Sequence, residues 1–106
     1  MNEDFDITGN IKFIEWLKAE LLGSVTALYR VLLKGTKASQ DTILECLSGV
    51  IIITYLLARR LGMDYSAIDM KVQNKLKLGI LEEDEIEKAH GDLSRLLGYI
   101  KDRKNG

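Results

Sequence analysis

Ile43-Leu-Glu-Cys-Leu-Ser-Gly-Val-Ile-Ile-Ile-Thr-Tyr-Leu-Leu-Ala-Arg-Arg-Leu61, closed by Gly62, is the stretch that decides the fold. It is too long for an ordinary strand, it shows no alternation of period two, and it is apolar nearly all round, which predicts a helix with more than one covered face. Ser39 is a good N-cap for it, and Asp41 suits the positive end of the helix dipole. Arg59 and Arg60 suit the negative end, and Gly62 supplies the stop. The apolar core of the stretch, Leu47 to Ala58, is interrupted by Ser48, Gly49, Thr54 and Tyr55. It is also shorter than the ~20 residues a bilayer span needs. The expectation is therefore a buried helix, central to the fold or to a subunit interface, and no membrane anchor.

Upstream, after a loose acidic start over 1–9, apolar residues fall at Ile14, Leu17, Leu21, Val25, Leu28 and Leu32, the three-to-four spacing of one helix face. This predicts a first helix from Asn10 to Leu33, with Ile11, Leu22, Tyr29 and Leu33 widening the stripe toward further neighbours. Gly23 lies within it, at a cost of about 1 kcal/mol against alanine unless close packing uses the missing side chain. Gly35, in Lys34-Gly-Thr-Lys37, is a natural left-handed stop. Downstream, Asp64 opens a third helix that runs to Leu78 and closes at Gly79. A fourth starts at Glu82-Glu-Asp-Glu85 and carries Ile86, Ala89, Leu93, Leu97 and Ile100 to a basic tail over 101–106. With no internal repeat and short connections, the reading is one all-α domain over 1–106, a four-helix bundle.

Composition agrees. The chain has 106 residues, 46% hydrophobic and 29% charged, which suits one packed core and excludes global disorder. Fifteen basic residues against sixteen acidic ones leave a net charge of -1, so no excess charge drives binding to nucleic acid or to an anionic membrane. One cysteine, Cys46, cannot form an internal disulfide, and Met1-Asn-Glu-Asp4 lacks the basic start of a signal peptide. A cytoplasmic protein is expected. No glycine loop for phosphate, Ser-His-Asp set or zinc pattern is present in the sequence.

The segment Glu45-Cys-Leu-Ser48, with its apolar run into Leu61-Gly-Met-Asp64, resembles the second half of the MazG-like, all-α nucleoside triphosphate pyrophosphohydrolases; the resemblance extends over Ile14 to Leu78. In that family one helix carries Glu-Glu-x-x-Glu and a second carries Glu-x-x-Asp. Carboxylates three apart share a helix side, so two antiparallel helices can converge on divalent cations. The ions neutralise the triphosphate and help activate water for attack between the α and β phosphorus atoms. Aligned through Gly23, the family's ligand positions fall on Leu21, Ser24, Glu45 and Ser48, with Glu20 on the flank. Leucine cannot ligate, and neutral hydroxyls are weak substitutes for anionic oxygen. Glu20 and Glu45 then read either as a residual one-metal site for Mg²⁺ or Mn²⁺ completed by nucleotide, or as polar residues beside two serines. Asp41 stands one turn from Glu45 and could join a displaced carboxylate pair.

Lys71-x-x-Asn74-x-x-Lys77 resembles the family's Lys-x-x-Asn-x-x-Arg region near the nucleotide. Two cations and an amide on one helical side can hold phosphates, although lysine lacks the two-pronged geometry of arginine, and an ordinary solvated face has the same spacing. Glu87-x-x-His90 has the spacing of half a di-iron motif, but a packed, hydrogen-bonded histidine is the plainer reading. Cys46 reads as a small core residue, and Trp16, Tyr29 and Tyr55 as core or interface aromatics.

Ile51, Ile52, Tyr55 and Leu56 exceed what one small bundle covers, which predicts pairing with a second copy as homodimer or homotetramer. Together these features predict a catalytically weak or inactive relative of the pyrophosphohydrolases, acting as a nucleotide-binding or interaction module. The alternatives are an active Mg²⁺-dependent enzyme with an altered site and a purely structural oligomer.

Overall fold

The computed structural model describes residues 7–105, and every regular element among them is helical. In chain order these are α1 (Ile7–Leu32), a short 3-10 turn (Gly35–Lys37), α2 (Gln40–Arg60), α3 (Tyr65–Leu81), α4 (Glu85–His90) and α5 (Asp92–Asn105). The chain divides into two compact units, Met1–Tyr65 and Ser66–Gly106.

The first unit is a hairpin of α1 and α2. Its seam uses the stripe foreseen on α1: Leu17 is buried, and Ile14, Leu21, Val25 and Leu28 are half-buried. The facing stripe of α2 runs through Ile43, Cys46, Val50, Ile53 and Leu57 to the buried Ala58. Gly49 brings α2 close to α1, where a Cβ would stand 3.8 Å from Ser24 Oγ. Gly23 gains nothing comparable, since a Cβ there would meet no atom within 4 Å. The joint turns at Gly35 with φ of 59°, and Ser39 caps α2 by accepting from the Thr42 amide at 3.2 Å. At the open end Asn10 ties the helices: its Nδ2 donates to the Arg60 carbonyl at 2.7 Å, and Arg60 Nη1 donates back to Asn10 Oδ1 at 3.3 Å.

Several expectations need correction. α1 starts at Ile7, ahead of Asn10; the rest of the loose start expected over 1–9 lies outside the described residues. α2 is not buried in the single chain, because a hairpin gives it one covered side only: Leu44, Leu47, Ile51, Ile52 and Leu56 are exposed. By length and composition alone this 21-residue helix would also suffice to cross a membrane, a test that core helices of soluble proteins pass as well. Trp16 and Tyr29 are likewise exposed, outside any core.

In the second unit α3 continues through Gly79 to Leu81 instead of closing there. Gly79 serves packing: a Cβ on it would stand 2.7 Å from Leu93 Cδ1. The turn comes at Glu83, which takes a left-handed φ of 54°, and Asp84 caps α4 by accepting from the Ile86 amide at 3.0 Å. The expected single fourth helix is broken in two at Gly91, whose φ of 67° no helix interior accommodates. The basic tail continues as helix to Asn105, with Arg103 stacked 5.8 Å above the Tyr99 ring.

Candidate functional site

The residues aligned with the family's ligands differ in exposure. Leu21 and Ser24 are half-buried on the side of α1 that meets α2, and Ser24 stands against Gly49. Glu45 and Ser48 are exposed on α2, Glu45 one helical turn before the half-buried Gly49. Glu20 is exposed on α1. Ser48 Oγ donates to the Glu45 carbonyl at 3.1 Å, so its hydroxyl proton is engaged within its own helix. Among the described residues no group of three or more His, Cys, Asp or Glu side chains is placed to hold a metal ion.

On α3, Lys71, Asn74 and Lys77 are all exposed, on the side opposite the buried Leu76. Helical geometry spreads residues three apart by about 60°, so the three share a broad face. Met70, Leu78 and Leu81 lie on that face too and are exposed, which makes it mixed basic and apolar. The hollow within this unit, about 430 Å³, takes its α3 cation from Lys75 and not from Lys71 or Lys77, with Leu78 on its wall and Glu82 and Asp84 supplying opposite charge.

Glu87-x-x-His90 has a structural role. Glu87 accepts from the Ser94 amide at 3.0 Å and from the Ser94 hydroxyl, so it caps the first turn of α5 across the Gly91 break. The Ser94 side-chain bond, then the Ser94 amide, hold its carboxyl below the usual range. His90 is exposed in the last turn of α4, contrary to the packed histidine expected, because the break at Gly91 takes it off the apolar stripe of a continuous helix. Cys46 is half-buried in the seam, as a small core residue would be.

One feature escaped the sequence reading. Phe13, Trp16, Leu56, Arg59, Arg60 and Tyr65 surround a cleft of about 400 Å³ at the open end of the hairpin, with the buried Leu17 as its floor. The three aromatic rings each remain about half exposed or more, at 58% for Phe13, 56% for Trp16 and 49% for Tyr65. Tyr55 meets Tyr65 edge to face at 5.9 Å and steadies that wall. The only signal in the sequence was the placement of Phe13 and Trp16 to one side of the Ile14–Leu17–Leu21 stripe. What brings them beside Arg59 and Arg60 is the return of the chain through α2.

No curated protein and no solved structure matches the chain. The MazG-like family model matches residues 7–93, which include the whole hairpin, α3, α4 and the start of α5. The chain therefore belongs to the MazG-like family, which is related to the nucleoside triphosphate pyrophosphohydrolases.

Proposed function

We propose that this chain is a MazG-like module without efficient metal-dependent pyrophosphohydrolase chemistry, which acts in the cytoplasm by holding a nucleotide or a protein partner. The observation that carries this reading is the donor set at the aligned positions: Leu21, Ser24, Glu45 and Ser48 offer one carboxylate, and the Ser48 hydroxyl is turned onto its own helix. Magnesium keeps its water reluctantly and needs anionic oxygens from carboxylates or substrate phosphates, so this set does not suit a two-ion centre. Glu20 and Glu45 remain as a residual pair for one Mg²⁺ or Mn²⁺, and both are exposed. Nucleotide phosphates would then rest on Lys71, Asn74 and Lys77 by direct cation contact. The exposed apolar side of α2 supports a homodimer or homotetramer, and the net charge of -1 is the ground for expecting neither nucleic acid nor an anionic membrane as partner.

Pyrophosphate release from a panel of nucleoside triphosphates with Mg²⁺ or Mn²⁺ tests the reading. Nucleotide-dependent thermal stabilisation without turnover is expected. Turnover abolished by Glu45→Gln would establish the active-enzyme alternative instead. Binding unchanged in Lys71→Ala/Lys77→Ala would remove the α3 face from the assignment. A monomer by light scattering at micromolar concentration would remove the assembly.

A further inference from the structure

We propose that the exposed side of α3 docks a protein partner through an acidic, amphipathic helical segment of that partner. Such a partner would share the face with the nucleotide and compete with it, a consequence that rests on the assignment of phosphates to Lys71, Asn74 and Lys77. Phosphate accounts for the lysines only. Met70, Leu78 and Leu81 are 63%, 54% and 80% exposed, and phosphate oxygens offer such side chains nothing. At about 100° per residue these three fall with Asn74 in one narrow strip, which runs roughly 16 Å, or three turns, along the helix. Lysines border it on both sides, Lys77 along one edge and Lys71 and Lys75 along the other. All three are exposed, and none has an ion-pair partner among the described residues. Asp69, the one acidic residue of α3, is half-buried on the inner side with the buried Leu76.

Shape and charge together define the occupant. An apolar strip one helix wide and three turns long matches a helix that offers apolar residues at every third or fourth position. Basic residues on both edges call for Asp or Glu on both flanks of that helix, which fixes its register and repels basic competitors. The lysine stems add apolar surface to the strip while their heads stay free to pair. An anionic lipid surface would also match the lysines, but Asn74 opposes it. This amide lies between Met70 and Leu78 in the middle of the strip, where acyl chains would leave it without a hydrogen-bond partner and a polypeptide supplies one.

Fluorescence anisotropy of a labelled synthetic helical peptide, with leucine along one side and glutamate on both flanks, tests the strip on the full chain. Saturable binding is expected, weakening as salt rises because exposed charges are screened over about 10 Å at 0.1 M. The same peptide with lysine in place of glutamate should not bind. Met70→Ser/Leu81→Ser should weaken the glutamate peptide by about tenfold or more, with unchanged circular dichroism, and should leave nucleotide-dependent thermal stabilisation as it was. Lys71→Ala/Lys77→Ala should weaken both. No binding of the glutamate peptide would overturn the proposal, as would binding indifferent to Met70→Ser/Leu81→Ser. Preference for anionic phospholipid vesicles over the peptide, lost in that variant, would overturn it in favour of a membrane surface. A lower mass by light scattering in Met70→Ser/Leu81→Ser would also overturn it, since a second copy would then cover the strip. Peptide binding that adenosine triphosphate does not displace would sustain the docking and remove the nucleotide from this face.

Discussion

The two units of this chain are held together by different means. The α1–α2 hairpin depends on one long seam between distant segments, and its sharpest polar tie joins residues fifty positions apart, Asn10 and Arg60. The unit from Ser66 onward depends on joints between neighbours: Asp84 caps α4, Gly91 breaks the chain in a left-handed turn, and Glu87 reaches over the break to cap α5. Long helices with a single partner leave their outer sides apolar and uncovered, as Ile51 and Ile52 show. Short helices joined by caps place their polar atoms locally instead. The hairpin therefore leaves an uncovered apolar side along α2, at Leu44, Leu47, Ile51, Ile52 and Leu56.

If the seam carries the hairpin, Leu17→Ala should have the largest effect. Leu17 is only 4% exposed, and the truncation should cost about 2–5 kcal/mol in denaturant titration. A loss under about 1 kcal/mol, far below the usual cost of such a truncation, would mean that the outer face, not the seam, holds α1 and α2 together. Next, Gly79→Val should destabilise by about 1–3 kcal/mol, because the new side chain enters space that Leu93 occupies. An unchanged melting curve would show that α3 does not rest on Leu93.

Gly23→Ala sharpens the contrast in the other direction. With nothing within 4 Å of the added Cβ, the substitution should stabilise by up to about 1 kcal/mol through helix propensity. Destabilisation instead, growing with protein concentration, would show that this face of α1 is covered by a second copy.

The smallest effect belongs to Glu87. Its carboxyl is held below the usual range by Ser94, so the unfolded chain takes up the proton first. The cap should contribute stability above the ordinary glutamate pKa of about 4.3 and lose it as pH falls through the lower folded value. Glu87→Gln should flatten this acid limb slightly, and near neutral pH should cost no more than the cap itself contributes. An acid limb identical in both proteins would place the titration elsewhere.

The α1 stripe, the Ser39 cap, the Gly35 stop and the all-helical class were legible in sequence because each rests on local rules: side-chain period, capping chemistry and dipole complementarity. So was the family, since Glu45-Cys-Leu-Ser48 and its apolar run are contiguous. Three features could be decided only by the tertiary structure. Gly79 stays inside α3 because Leu93 passes close to it, Gly91 breaks the last helix because Glu87 can cap α5 across the break, and Trp16 stands beside Arg59 because the hairpin closes. The Gly91 break rests on a choice between a continuous helix and a capped turn, the neighbours of Gly79 and Trp16 rest on other segments of the chain, and periodicity along one helix contains no term for either.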